Sequence, residues 1–169
     1  MSVEVHKQQA PNHVSCAVIT VSDTRNAEND KSGNLMKKLL NDQGHVVEYY
    51  QIVKDEREEI IHSIHAAIDN HNIKVILLNG GTGIAKRDVT IETVSSLFEK
   101  EIVGFGELFR MLSYTEDIGP AAMLSRAAAG TYQNRVIFST PGSTGAVKLA
   151  MEKLIIPELN HVVHEILKD

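Results

Sequence analysis

Three short stretches of this chain, residues 15–21 (SCAVITV), 74–78 (KVILL) and 135–139 (RVIFS), are apolar in continuous runs rather than in alternation. A strand with one wet face alternates apolar and polar residues, whereas a strand covered on both faces does not, so the runs predict central strands of a sheet lying between helices. A fourth run, residues 46–53 (VVEYYQIV), is more mixed. Between the runs the apolar period changes to that of a helix. SGNLMKKLLNDQG closes on Gly44 as a C-terminal cap, and Ile60, Ile61, Ile64 and Ile68 share one helical face after Asp55. Residues 91–98, 107–112 and 121–129 read as further helices, the last ending at Gly130, and residues 145–167 as a helical segment interrupted by Pro157. Strand alternating with helix predicts an α/β domain whose twisted sheet is mainly parallel.

Composition narrows the use of such a domain. At 169 residues the chain can bury a core without disulfides or a structural metal, and one domain is expected over residues 14–169, behind a mobile polar tail at residues 1–13. No window approaches the roughly 18 consecutive apolar residues of a membrane span. The first thirteen residues, MSVEVHKQQAPNH, also lack the apolar centre of a signal peptide, so the cytoplasm is the expected address. The single cysteine, Cys16, lies inside the first apolar run and reads as a buried thiol, which excludes disulfide and cysteine-cluster chemistry. A formal net charge of −5, with no basic block among the 17 Lys and Arg, argues against nucleic-acid binding. Any anionic ligand must be held by local features.

In open α/β sheets ligands bind beyond the carboxyl ends of the strands. Four polar loops are expected there: SDTRN at residues 22–26, KDER at 54–57, NGGTGIAKRDVT at 79–90 and TPGSTG at 140–145. Glycines 80, 81 and 83 permit positive φ and close approach of backbone to ligand, and successive N–H groups in such a turn form an anion-binding nest. A tight turn without a ligand accounts for the glycines equally well, and the spacing fits neither a P-loop nor a Rossmann fingerprint. Lys86 and Arg87 suit phosphate oxygens. Asp88 repels them unless a cation intervenes, and hard oxygen ligands suit Mg²⁺. The alternative is that Asp88 caps the helix beginning near residue 89 or 90. Asp55 alone is an N-cap candidate, of interest because it shares the strand edge with Asp88; Asp23 reads as a turn residue before it reads as a ligand. In TPGSTG the helix N-terminus favours an anion, with Ser143 or Thr144 adding a hydroxyl, but a capped turn is the equal alternative. GFGELFRML places Phe105, Leu108, Phe109 and Leu112 on one face for core packing, with Met111 elsewhere. The pairs His62/His65 and His161/His164 lack a third ligand and read as surface or packing residues.

Taken in order, TVSDTR, IVKDER, LLNGGTGIAKRDVT, GFGELFRMLS, SRAAAG and STPGST resemble the MoaB/MogA family of molybdenum cofactor biosynthesis proteins, over residues 15–157. RMLS and PGST are closer to the MoaB branch than to the MogA branch. The resemblance implies the molybdopterin-binding fold, a three-layer αβα sandwich with a mainly parallel sheet, assembled as a homo-oligomer, trimer or hexamer. It also implies the activity of the MogA branch: Mg²⁺-dependent adenylylation of molybdopterin by ATP, releasing pyrophosphate. The acids essential to that reaction match Asp55 and Asp88, which would be the catalytic pair and the Mg²⁺ holders. Ser22, Asp23, Gly80, Gly81, Thr82, Gly83, Pro141, Gly142 and Ser143 would then line the substrate and nucleotide site. PGST departs from the second proline usual in the MogA branch, which bears on the contacts of that loop. A non-catalytic molybdopterin carrier or scaffold, working with other enzymes of the pathway, is the second reading, and Mg²⁺-dependent ATP binding separates the two. A domain of a larger molybdenum-insertion or competence-type protein is disfavoured because the chain ends soon after the last helix. Neither nucleic acid nor membrane is an expected partner.

Overall fold

The continuous apolar runs become the middle of one six-stranded sheet in the computed structural model, which describes residues 2–9 and 12–169. Strands β1 (Ser15–Val21), β2 (Val46–Val53), β3 (Ile73–Asn79) and β6 (Arg135–Thr140) run parallel, in the spatial order β2, β1, β3, β6. Beyond β6 lie β5 (Ala128–Tyr132) and then β4 (Lys100–Glu101), each antiparallel to its neighbour in the order β6, β5, β4. Successive residues of the central strands feed opposite faces. Cys16, Val18, Val75, Leu77, Val136 and Phe138 pack with the helices α2 (Lys31–Asp42), α5 (Val103–Glu116), α6 (Thr144–Ala150) and α7 (Ile156–Ile166). Ala17, Ile19, Val21, Ile76, Leu78 and Ile137 pack with α3 (Arg57–Ile68) and α4 (Thr90–Leu97). The three layers and the mostly parallel sheet are those the sequence implies. Cys16 is fully buried, and burial first, then the Glu48 charge, pushes its thiol up to about 12, so it stays an inert packing group.

The fold departs from the sequence expectation in several places. Residues 121–129 are not a helix: a 3₁₀ turn, Gly119–Leu124, is followed by β5. The alanines that suggest a helix serve close packing here, and a Cβ on Gly130 would stand 2.3 Å from Cγ of Phe98, whose ring covers the strand. Gln133 and Asn134, both at positive φ, close the two-residue hairpin between β5 and β6. Helix α5 is longer than expected. Its buried face is Phe105, Gly106, Phe109 and Ser113, while Leu108 is 47% exposed and so is not a core residue. Pro157 does not break the last helical segment, because a π turn at Met151–Ile155, with the Ile156 N–H bonded to the Met151 carbonyl, carries the chain from α6 into α7. Within the segment expected as a mobile tail, Val3–Gln9 forms a short helix, α1, near α7; Met1, Ala10 and Pro11 lie outside the described residues. No helix among the described residues is long and apolar enough to cross a membrane.

At the carboxyl end of the central strands a polar network replaces the apolar core. Asp30, the N-cap of α2, is fully buried; its carboxylate accepts from the Gly33 N–H (3.0 Å), the Thr20 hydroxyl (2.7 Å) and the Tyr50 hydroxyl (2.5 Å). Arg25 approaches it at 3.6 Å and donates to the Gly142 carbonyl at 2.8 Å, to which Ser32 also donates. Asn79 joins the set by donating to the Thr20 hydroxyl. Burial, followed by the bond to Asp30, holds the Tyr50 phenol well above its ordinary value. One carboxylate thus ties β1, β2 and α2 directly, and the loop after β6 through Arg25. Asp30→Ala orphans two buried donors and the half-buried Tyr50 hydroxyl at once, so urea unfolding should show a loss of about 3 kcal/mol or more with the slope unchanged. An unchanged midpoint would contradict this role.

Candidate active site

The chain leaves β1 to form β2 on one side and returns to form β3 on the other, so the loops after β1 and β3 diverge and open a crevice between them. A cavity of about 600 Å³ lies there. All four loops expected from the sequence reach it, through Ser22 and Asp23, Asp55, the stretch 80–83 with Arg87 and Asp88, and Pro141 with Gly142. Ala121, Leu124 and Ser125, from the 3₁₀ turn and the residue after it, supply a wall that the sequence did not announce.

The glycine loop is shaped by close approach. Gly80 has φ +96° and donates its N–H to the Thr140 carbonyl, and a Cβ there would fall 2.2 Å from the Val21 carbonyl oxygen. At Gly81, φ is +66° and a Cβ would stand 2.2 Å from Thr90 Oγ1 and 2.6 Å from Asp55 Oδ1. Only glycine fits either position. Among the described residues the N–H groups of Gly81, Thr82, Gly83 and Ile84 meet no acceptor, so the loop presents successive free donors, the arrangement of an anion nest.

The acids behind it are not helix caps. Helix α4 has Val89 as its N-cap, with no side-chain bond, and Asp88 instead accepts from the Ala85 N–H at 3.1 Å, its Oδ2 lying where a Cβ on Gly83 would be 2.5 Å away. Helix α3 has Glu56 as its N-cap, also without a side-chain bond, so Asp55 caps nothing. Its Oδ1 is buried and has no partner, as is the hydroxyl oxygen of Thr90. Burial, then the Asp23 charge, raises the Asp55 carboxyl above its ordinary value; Asp88 adds to the rise and Arg87 opposes it. Asp23 is more than a turn residue: one oxygen accepts from the Asp55 N–H at 3.0 Å and the other pairs with Arg87. Ser22 shapes the same loop by accepting from the N–H groups of Thr24 and Arg25.

Two candidate residues lie outside the cavity wall. The Ser143 hydroxyl accepts from the Ala146 N–H at 3.2 Å, so it caps α6 and is not part of the cavity wall, whereas Pro141 and Gly142 are. Lys86 is exposed and outside the wall, leaving Arg87 as the only member of the basic pair that reaches it. The histidine pairs stay apart from the site: His65 bonds and stacks with Tyr132, and His161 pairs with Glu158. The sequence did not single out Arg25, which lines the cavity, nor two residues behind the glycine loop, Thr90 beside Gly81 and Arg126, which donates to the Thr82 and Gly83 carbonyls. Thr90 sits at a helix start, and the two arginines act on partners distant in sequence.

Among the described residues no three His, Cys, Asp or Glu side chains converge as a metal set. Magnesium does not require one, since it is commonly bound through one or two carboxylates with water and substrate phosphate oxygens. Asp55 and Asp88 offer hard oxygens in one cavity, and the partnerless buried Oδ1 of Asp55 is a negative site that a cation satisfies. The residues fit the ion.

Comparison with known proteins identifies the relatives of this chain. The family described as "Probable molybdopterin binding domain" matches residues 17–161. Molybdenum cofactor biosynthesis protein B of Bacillus subtilis (strain 168) is 62% identical over 169 residues, covering 100% of this chain and 99% of that protein. A crystal structure of a molybdenum cofactor biosynthesis protein B superposes with a TM-score of 0.92 at 58% identity, covering 95% of this chain and 100% of the other. That of the tungsten cofactor synthesizing protein MoaB from Pyrococcus furiosus gives 0.83 at 42% identity, over 92% of this chain and 98% of the other.

Two outcomes follow from the site geometry. Gly81→Ala forces a side chain into Thr90 and Asp55 at positive φ, and chemical denaturation should show a loss of about 1–3 kcal/mol. Asp55→Asn should do the opposite at neutral pH. The raised carboxyl means that ionisation weakens the native state, a cost absent below the unfolded value and complete once pH exceeds the folded one. The variant should therefore melt about 1–3 °C above the natural chain at pH 7, with the gap closing as the pH falls into the carboxylate range. A gap that widened in acid would have the wrong sign.

Proposed function

This chain belongs to the MoaB/MogA family of molybdenum cofactor biosynthesis proteins, and on that premise we propose that it is a molybdopterin adenylyltransferase. An oxygen of molybdopterin's terminal phosphate attacks the α-phosphorus of ATP. The bond from that phosphorus to the bridging oxygen breaks, giving adenylylated molybdopterin and pyrophosphate. The observation that carries this reading is the pairing in one cavity of a glycine loop with free N–H groups and two carboxylates that cap no helix. Such a site suits several negative charges together with a cation, rather than a neutral ligand.

Reactions at phosphorus depend on positioning and on charge neutralisation. The N–H groups of Gly81, Thr82, Gly83 and Ile84 orient phosphate oxygens. Asp55 and Asp88 hold Mg²⁺ or its water shell, and Mg²⁺ when bound supplies neutralisation of the charge on the phosphates. Asp23 keeps Asp55 in register through its backbone N–H and keeps Arg87 at the rim. Ala121 and Leu124 give a planar ring an apolar side to pack against. Homo-oligomer formation is supported by the exposed apolar residues Leu108, Met111 and Tyr114 of α5 with Ile118 and Met123 beyond it, a surface suited to a second copy in a trimer or hexamer. The cytoplasm remains the proposed address. The carrier reading has one observation on its side, the Ser143 hydroxyl that caps α6 instead of facing the cavity.

The test is single-turnover conversion of freshly prepared molybdopterin with Mg·ATP, following adenylylated product and pyrophosphate together. The natural chain should form both, and folded Asp55→Asn and Asp88→Asn should each be slower by about 100-fold or more. Pterin binding without product from the natural chain would leave the carrier.

A further inference from the structure

Arg126, between the 3₁₀ turn and β5, reaches back to the glycine loop. Its Nε donates to the Thr82 carbonyl at 3.0 Å and its Nη2 to the Gly83 carbonyl at 2.9 Å. Glu92, in the first turn of α4, takes the rest of the guanidinium: Nη1 pairs with Oε1, and Nη2 lies 3.2 Å from Oε2. The hydrogen bond to Arg126 is the main reason the Glu92 carboxyl lies below its ordinary value. Thr82 and Gly83 line the cavity, while Arg126 and Glu92 do not, so this fork grips the loop from behind.

In a trans peptide the carbonyl and the N–H point in opposite directions. Fixing the carbonyls of Thr82 and Gly83 therefore turns the N–H groups of Gly83 and Ile84 away from the guanidinium, and both are among the donors without a protein acceptor. A glycine-rich loop needs such a restraint, because its peptide planes rotate at small cost. A flipped plane would aim a carbonyl oxygen where a phosphate oxygen is to sit.

We propose that Arg126, clasped by Glu92, is a positioning residue for polyphosphate binding: it sets the peptide planes of residues 82–84 so that the Gly83 and Ile84 N–H groups face the anion, without touching the anion itself. This rests on the reading of the cavity as a phosphate site. The planar fork is what matters, so lysine, which keeps the charge but holds one point, cannot replace it.

Calorimetric titration with inorganic pyrophosphate, alongside amide resonances of Gly83 and Ile84, tests this on the natural chain, Arg126→Lys and Glu92→Gln. The natural chain should bind, with both amides shifting on saturation. Arg126→Lys should bind about tenfold more weakly and Glu92→Gln about threefold, with the two amide responses reduced in each. Arg126→Lys binding as well as the natural chain, with both amides responding as before, would overturn the clamp and leave Arg126 as a distant charge. Should that variant fail to fold, natural affinity and natural amide shifts in Glu92→Gln would overturn it equally. No binding to the natural chain would sink the phosphate site itself, and the clamp with it.

Discussion

A carboxylate with no access to water, Asp30, lies under the point where the chain changes direction across the sheet, and the positions of the loops above it depend on how that charge is satisfied. Burial of an unpaired carboxylate is prohibitive, whereas two hydroxyls, a backbone N–H and a nearby guanidinium make it tolerable. Each partner comes from a different part of the chain, so satisfying one charge draws β1, β2 and the start of α2 together. Arg25 extends the same set to Gly142, and Gly80 bonds to Thr140 beside it. The crevice is consequently framed by backbone that has little freedom to move.

On that frame the site assembles a conflict. Asp23, Asp55 and Asp88 gather around a loop whose own N–H groups attract anions, and only Arg87 among the cavity residues pairs directly with one of the acids. Asp55 bears the cost, with one oxygen buried and partnerless and its carboxyl raised. Local rules broken without local compensation are characteristic of functional positions. In the proposed function a cation between the acids and a polyphosphate would resolve the conflict, so residues that are poorly arranged for stability would be well arranged for phosphate chemistry.

Much of this was legible in the sequence, and the reasons are physical. The runs at 15–21 and 46–53 give strand boundaries that the structure reproduces; burial on both faces leaves a continuous apolar run in β1, whereas β2, at the sheet edge and mostly part-exposed, shows the more mixed one. The convergence of four loops follows from parallel strands alone. Residues 121–129 mislead because alanine favours a helix in isolation, yet here Ala128 and Ala129 are buried strand residues paired with β6, and Gly130 leaves room for the Phe98 ring. The hairpin signal, Gln133 with Asn134, was present but weak without a glycine. Arg25 and Arg126 were hidden for another reason: Arg25 holds a carbonyl 117 residues away and Arg126 one 44 residues away, and no local spacing encodes either contact. The acids could be placed at the strand edge, but separating ligand from helix cap needed the cap bonds themselves, which neither Asp55 nor Asp88 makes.

In the proposed function the cavity holds the phosphates of a nucleotide on backbone N–H groups, with a magnesium ion shared by the two acids. A crystal structure of the natural chain grown with Mg²⁺ and a non-hydrolysable ATP analogue tests it most directly. The expected map places phosphate oxygens against the N–H groups of residues 81–84 and an ion in contact with Asp55 and Asp88, directly or through its water shell. Nucleotide bound elsewhere, or phosphates in the cavity with both acids and the loop left uncontacted, would contradict it.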